Sequence, residues 1–126
     1  MLQNKTKVNV TDNSGAVLVE IIGIMGASNQ RYAKIGTLVK VAIKKVFSGK
    51  CVPNVGKGKT SYAVVVRTTR GVRRATGIRI RFAENAVVLV KDDRKTLVGT
   101  RMFGSTVEEL KKYGFPKVCT LAKTVY

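Results

Sequence analysis

Arginine and lysine are the residues of this sequence whose types and spacing could do chemistry. The segment from Ile21 to Ala83 contains fourteen of them and no aspartate or glutamate. It supplies +14 of the net charge of +17 that 24 basic and 7 acidic residues give the whole chain. A folded chain with so much charge of one sign repels itself unless a partner neutralises it, and phosphates do so while releasing counterions. The pattern therefore predicts a polyanionic partner, with nucleic acid first.

The densest group of these cations lies between Arg67 and Arg81. Six arginines fall within 15 residues there, and Gly71 and Gly77 are available for turns. A guanidinium group binds phosphate oxygens in pairs, stacks on exposed bases and keeps its charge at physiological pH. We therefore predict an RNA-binding hairpin that acts with other basic residues of the acid-free segment. The predicted RNA-binding residues are Arg31, Lys34, Lys40, Lys44, Lys45, Lys57, Lys59, Arg67, Arg70, Arg73, Arg74, Arg79 and Arg81.

Solvation alone is the ordinary explanation for a run of charges. It is weakened here because the segment has no acids that would neutralise the run. Tyr32 and Tyr62 are too few and too isolated to form a platform on which single-stranded bases stack. The segment therefore favours recognition of phosphates and of the shape of a folded RNA. A free nucleic-acid-binding barrel of the OB or cold-shock kind is the second interpretation.

Metal and catalytic chemistry have little support in the sequence. The chain has no histidine, the commonest general base and a frequent zinc ligand, and Cys51 and Cys119 stand far apart. We expect two reduced, partly buried thiols, and the sequence leaves a disulfide open. The string Gly58-Lys59-Thr60 resembles the end of a phosphate-binding loop, but the first glycine of that motif is missing and a predicted strand follows. We predict no enzyme activity, metal, cofactor or small-molecule substrate.

Alternating apolar residues indicate that many of the basic groups lie on strands. The predicted strands lie around Val8 and Val10 and over 17–22, 39–44, 62–66, 78–82 and 86–90. In strands 39–44 and 78–82, β-branched or aromatic residues take one face and basic residues take the other. Strands 62–66 and 86–90 are apolar throughout. Because no long helical pattern separates these strands, they predict a mainly β fold with a small closed barrel.

The C-terminal part is predicted to contain a helix. Ser105 and Thr106 each have a glutamate three residues later, which gives two overlapping capping boxes. Gly114 and Pro116 are expected to end this helix.

The chain is predicted to form one domain over 1–126, with the barrel at about 1–100 and the C-terminal helical part at about 101–126. Residues 48–60 are rich in glycine and lysine, which predicts a long loop or a mobile hairpin tip. No apolar run is long enough to cross a bilayer, and no export signal is present, so we expect no membrane partner.

Several strings of the chain follow one another in the order that they have in a known family. The strings are VTDNSGA at 10–16, RYAKIG at 31–36, AVVVRT at 63–68, GVRR at 71–74, IRF at 80–82, NA at 85–86, GTRMFG at 99–104 and LA at 121–122. From about Val8 to Val125 the chain resembles large-subunit ribosomal protein fourteen. Its spacing resembles that of the bacterial and organellar branch of this family.

The resemblance implies a five-stranded barrel with a projecting β-ribbon and a short helical C-terminal part. It implies a structural role in the large ribosomal subunit, bound to large-subunit rRNA. We expect the thirteen basic residues above to bind this rRNA. It also places the protein at the subunit interface, with a bridge to small-subunit rRNA. The implied protein partners are large-subunit ribosomal protein nineteen and the ribosome silencing factor. In the family, the silencing factor docks on a surface that corresponds by motif to Thr100, Arg101 and Lys117 of this chain.

Six residues depart from the family pattern, and one of them is Ala27, which replaces the second glycine of the usual Gly-Gly before Ser28. Thr37, Thr76 and Ala83 each stand where the family usually has an aspartate, so each removes negative charge. Ser105 replaces a proline, and Glu108 replaces a common arginine, which changes one exposed contact of the docking surface. We expect a divergent ribosome with altered RNA at this site. The expected location is an organelle matrix, with mitochondria favoured, or a bacterial cytoplasm.

Overall fold

Five strands close into a barrel. The computed structural model describes residues 2–26, 29–49, 52–53 and 55–126. The barrel strands are β1 (Lys7–Val10), β2 (Ala16–Ile24), β3 (Leu38–Val46), β4 (Thr60–Arg67) and β7 (Ala86–Val90). Four neighbouring pairs are antiparallel, and the parallel pairing of β1 with β7 closes the barrel. The prediction of a mainly β fold with a small closed barrel is confirmed.

The interior of the barrel is filled by one apolar cluster. Val8, Ile21, Val41, Val65 and Leu89 come one from each barrel strand, and none is more than 2% exposed. Successive side chains of a strand point to opposite faces, so alternate residues of each strand reach this interior. The alternation predicted for β3 is confirmed, because its buried residues over 39–43 alternate with Lys40, Ala42 and Lys44.

Strands β4 and β7 are buried on both faces. Val64, Val66 and Val88 point away from the interior and belong to a second apolar cluster. The C-terminal segment, residues 101–126, covers them. Its Leu110 and Val118 are buried residues of the same cluster. This second layer explains why residues 62–66 of β4 and all of β7 are apolar, where a half-exposed strand would alternate.

The hairpin predicted between Arg67 and Arg81 consists of two short strands, β5 (Val72–Arg73) and β6 (Arg79–Ile80). Gly71 precedes it at φ +75°, and a Cβ atom there would lie 1.8 Å from the carbonyl oxygen of Ile80. Only glycine fits so close a backbone approach. The predicted buried face of this strand is wrong at Ile78, which is 59% exposed because β6 begins only after it.

The C-terminal segment contains two short helices and a two-stranded sheet. Its elements are β8 (Ser105–Thr106), α1 (Glu109–Lys112), α2 (Pro116–Leu121) and β9 (Thr124–Val125), and β8 pairs in parallel with β9. The two predicted capping boxes are wrong, because Ser105 and Thr106 are strand residues. Helix α1 follows Glu108 without a side-chain cap.

Gly114 and Pro116 mark the boundary between the two helices. Gly114 follows α1 at φ +92°, as expected of a residue that ends a helix. The prediction that Pro116 ends a helix is wrong. Pro116 is the first residue of α2, where its missing N–H is not needed. Across the described ranges, neither helix is long and apolar enough to cross a membrane.

The segment between β3 and β4 forms a loop, as predicted, and contains no strand among its described residues. It folds back on the barrel, since the backbone N–H of Gly58 donates to the carbonyl oxygen of Ile43 at 2.8 Å. Lys50, Cys51 and Asn54 lie outside the described residues, and so does the prediction of a reduced thiol at Cys51.

Cys119 is a buried free thiol, in line with the prediction. Its Sγ lies 3.6 Å from the carbonyl oxygen of Val107, to which the thiol donates. Burial raises the pKa of the Cys119 thiol above its ordinary value. A protonated, enclosed thiol packs as a small apolar side chain, which is the role that Cys119 has in the second cluster.

Candidate nucleic-acid interface

The hairpin presents four exposed arginines, and backbone contacts fix the positions of two of them. Arg79 donates from Nε and Nη2 to the carbonyl oxygen of Arg70 at 3.2 and 3.1 Å. Arg81 donates from Nε to the carbonyl oxygen of Thr69 at 3.2 Å. Arg73 is exposed at the end of β5. We call Arg70, Arg73, Arg79 and Arg81 the hairpin surface.

A cleft of about 410 Å³ lies beside the hairpin surface. Lys34 and Tyr113 line it together with Arg70, Arg73 and Arg79, and none of the lining residues is acidic. The fold therefore brings Lys34, from the turn before β3, close to three arginines of the hairpin. Sequence reasoning missed Tyr113, which follows α1 and has no motif around it that points to RNA.

Arg67, which was predicted to bind RNA, is buried and is not part of the hairpin surface. Its side chain is 8% exposed and donates from Nη2 to Glu84 at 2.7 Å. Nη1 donates to the carbonyl oxygens of Phe103 and Ser105 at 2.9 and 3.2 Å. Gly104 makes room for the guanidinium group, since a Cβ atom there would lie 2.3 Å from Nη1. Arg67 thus holds the C-terminal segment against β4.

Arg74 faces the C-terminal segment and differs in this from the other hairpin arginines. It donates from Nε and Nη2 to the carboxylate of Glu109 at 2.6 and 3.3 Å, and Nη2 also donates to the carbonyl oxygen of Tyr126. The hydrogen bond from Arg74 lowers the pKa of Glu109 below its ordinary value. The same bond raises the pKa of Arg74. This residue ties the hairpin to α1 and to the end of the chain.

The predicted lysines of β3 lie on the outer face of the barrel. The Nζ of Lys40 is 5.9 Å from the ring centroid of Tyr62, and the guanidinium carbon of Arg94 is 4.9 Å from the same centroid. Arg94 is a basic residue that sequence reasoning missed, because it lies outside the acid-free segment. Lys44 is half-exposed, and its Nζ is 3.5 Å from a carboxylate oxygen of Glu20.

The remaining predicted cations do not gather at the hairpin. Lys57 and Lys59 precede β4, and the hairpin follows it. Because β4 has eight residues, its two ends lie about 25 Å apart. Lys45 is exposed near the end of β3 that lies beside the start of β4. Arg31 is exposed in the segment before β3. The basic residues therefore form groups at both ends of the barrel.

The chain as a whole matches a known family. A model of the family described as Ribosomal protein L14p/L23e matches residues 1–126. The chain belongs to this family. It is therefore a structural constituent of the large ribosomal subunit, and the resemblance seen in its sequence strings is confirmed. Ribosomal protein families are generally structural and not enzymatic.

The residues carried over from the family as a docking surface are exposed. The side-chain oxygen of Asn13 accepts from the backbone N–H groups of Thr100 and Arg101 at 2.8 and 3.1 Å. The amide nitrogen of Asn13 donates to the hydroxyl of Thr100 at 2.9 Å. These bonds fix the backbone of the Gly-Thr-Arg string. Lys117 is exposed at the second position of α2.

Two aspartates of this family member hold the backbone of loops. Asp12 accepts from the backbone N–H groups of Leu89 and Ser14 at 2.9 and 3.1 Å. Its burial nevertheless raises the pKa of the carboxyl group, because desolvation outweighs these bonds. Asp93 is exposed, and hydrogen bonds from the side chain and backbone of Thr96 lower its pKa to about 2. Both carboxylates therefore have structural partners within the protein.

Proposed function

We propose that the chain binds large-subunit rRNA chiefly through the hairpin surface and Lys34. The observation that carries this proposal is the cleft, where exposed cations from two parts of the chain converge and no acid lines the wall. Arg79 and Arg81 are held by backbone carbonyl oxygens, so they lose less conformational freedom when RNA binds. Arginines arranged in this way suit phosphate oxygens, which accept paired N–H donors.

The other basic groups extend the proposed surface. Lys40 and Arg94 lie on the outer face of the barrel, and Lys45, Lys57 and Lys59 lie about 25 Å from the hairpin along β4. Cations spread over such a distance suit several phosphate backbones of a folded RNA better than one extended strand. The proposal leaves out Arg67 and Arg74, whose guanidinium groups are occupied inside the protein.

We further propose that the protein lies at the subunit interface. There it bridges to small-subunit rRNA, lies beside large-subunit ribosomal protein nineteen and offers Thr100, Arg101 and Lys117 to the ribosome silencing factor. The family resemblance supports these contacts. The exposure of the three side chains and the bonds from Asn13 support them as well, because a fixed backbone presents a defined shape to a partner.

The departures from the family pattern support an organellar ribosome, with mitochondria favoured. Thr37 and Thr76 replace aspartates close to the cations of the hairpin surface and of Lys34 in the sequence. The hydroxyl of Thr37 accepts from the backbone N–H of Lys34 at 3.0 Å. Threonine in place of aspartate therefore keeps a bond that closes the turn and removes a negative charge. Loss of acids at this place suits an RNA that brings more phosphate to it.

Salt-dependent binding to large-subunit rRNA tests the proposed RNA surface. Log affinity falls linearly with log salt concentration, with a slope of roughly 0.9 per phosphate contact on a duplex. Replacing Arg73 and Arg81 by alanine should weaken binding and reduce the slope by about two units. The control variant carries Lys7→Ala and Lys91→Ala, which remove the same charge from exposed positions outside the surface.

Filter binding or fluorescence anisotropy over a series of NaCl concentrations gives both slopes. The control variant should keep a slope close to that of the unaltered protein. Equal slopes for the two double variants would mean that the hairpin surface makes no special contact, and the assignment would then be wrong. Circular dichroism of each variant shows whether the barrel is intact.

A further inference from the structure

The cleft beside the hairpin surface contains an aromatic side chain among its cations. Tyr113 is 57% exposed and lines the cleft with Lys34, Arg70, Arg73 and Arg79. A volume of about 410 Å³ lies within the roughly 300–1,000 Å³ of pockets that hold small ligands. Four cations around one exposed ring is a composition suited to a ligand with both a negative charge and a flat aromatic group.

The ring of Tyr113 is held in place although it is exposed. It packs directly on Gly36, where a Cβ atom would lie 2.3 to 3.0 Å from three atoms of the ring. Gly36 is itself fixed to the barrel, because its N–H donates to the carbonyl oxygen of Val65 at 2.8 Å. The backbone N–H of Tyr113, just after α1, donates to the carbonyl oxygen of Glu109 at 3.3 Å. A ring that is already oriented loses little freedom when a second ring stacks on it.

Hydrogen bonds also fix the guanidinium group of Arg79 and the turn that carries Lys34. The guanidinium group of Arg79 is anchored on the carbonyl oxygen of Arg70 across the hairpin. The turn that carries Lys34 is closed by two hydrogen bonds of 3.0 Å with Thr37. Arg73 and Lys34 therefore approach the ring from two different elements, the hairpin and the turn before β3.

We propose that this cleft binds one unstacked nucleotide of the rRNA, with its base on Tyr113 and its phosphate among the cations. Base stacking on an aromatic side chain is worth about fivefold to 150-fold in affinity for each base. Single-stranded loops and bulges can present such a base, whereas a base within an A-form helix cannot leave its stack without cost. The inference rests on the proposed rRNA binding and adds the kind of nucleotide that the cleft selects.

A pair of short RNA hairpins tests this inference with the full chain. One hairpin carries a single bulged 2-aminopurine, a fluorescent adenine analogue, and the other carries the same base paired within the stem. We expect the protein to bind the bulged RNA about tenfold more tightly, with a drop in 2-aminopurine fluorescence as the base stacks. Tyr113→Leu should remove this preference and leave the affinity for the paired RNA and its salt slope unchanged.

Two variants serve as controls. Tyr113→Phe keeps the ring and should keep the preference. Tyr126→Leu removes a tyrosine of similar exposure, 55%, that does not line the cleft, and it should also keep the preference. Thermal unfolding of each variant checks that the barrel is intact.

The possible outcomes separate this inference from the proposed function. Equal affinity for the two hairpins, or a preference that survives in Tyr113→Leu, would overturn the cleft assignment while rRNA binding stands. Failure to bind either hairpin at any salt concentration would count against both proposals. A third outcome is that the unaltered protein shows no preference for the bulge but releases the bulged RNA when millimolar adenosine monophosphate is added. This outcome would assign the cleft to a free nucleotide instead.

Discussion

Burial separates Arg67 from the arginines that follow it in the same run. Its guanidinium group supplies hydrogen bonds to the carbonyl oxygens of Phe103 and Ser105, and Glu84 balances its charge. A buried charge is stable only when it is paired and hydrogen-bonded in this way. The side chain therefore connects β4 to the C-terminal segment.

Arg67→Met should lower the free energy of unfolding by about 2 kcal/mol, because two carbonyl oxygens lose their donors and Glu84 loses its partner. Arg73→Met, on the exposed hairpin surface, should change it by less than about 0.5 kcal/mol. Urea unfolding followed by circular dichroism measures both values. Equal destabilisation by the two variants would show that the contacts of Arg67 contribute nothing special.

At the scale of elements, the hairpin is fixed to the C-terminal segment through Arg74 and Glu109. The two side chains form paired hydrogen bonds at 2.6 and 3.3 Å, and Glu109 is mostly buried. The hydrogen bond from Arg74 lowers the pKa of Glu109 below its ordinary value. A group of this kind stabilises the fold above its unfolded pKa and loses that contribution as the pH falls through its folded pKa.

Glu109→Gln should reduce the loss of stability on acidification. The unaltered protein should be less stable at about pH 3 than at about pH 6, and part of this difference should be absent in the variant because glutamine has no proton to gain. Glu108→Gln is the matched control, since that carboxylate is exposed and lies 3.8 Å from Lys111. Urea unfolding at the two pH values checks this. Identical pH dependence in both variants would contradict the role of the Arg74 bond.

The strands could be predicted from sequence because alternation records burial on a barrel directly. Alternation could not show that the predicted capping boxes were wrong. Ser105 and Thr106 satisfy a local helix-start pattern, but pairing with Thr124–Val125 makes them a strand. That partner lies outside any local window, and tertiary pairing overrides a weak local preference. The same limit applies to the site, because Tyr113 packs on Gly36, which is far from it in the sequence.

At the scale of the whole molecule, the net charge of +17 acts on stability as well as on binding. Salt bridges join Lys44, Arg67, Arg74 and Lys111 to acids in the described part of the chain, but most cations repel one another across the surface. Ions in solution weaken this repulsion over distances beyond about 10 Å at 0.1 M salt. The isolated protein should therefore be more stable at higher ionic strength.

Raising NaCl from about 20 mM to about 500 mM should increase the thermal midpoint by a few degrees, because screening relieves the repulsion between cations. Sodium acetate at equal concentration should give a similar increase if screening, and not chloride binding, is the cause. Thermal unfolding followed by circular dichroism measures both. A midpoint that falls or stays constant would show that self-repulsion does not limit the stability of this fold.

The parallel pairing of β1 with β7 also sets an order of events during synthesis. The first strand of the barrel has one neighbour, β2, that emerges soon after it, but its other neighbour is the last barrel strand, Ala86–Val90. The nascent chain must therefore keep an open sheet edge until most of its length has been translated. Contacts so distant in sequence slow folding and leave edges exposed to wrong partners. The unfinished barrel is consequently the stage at which this protein is most exposed to aggregation.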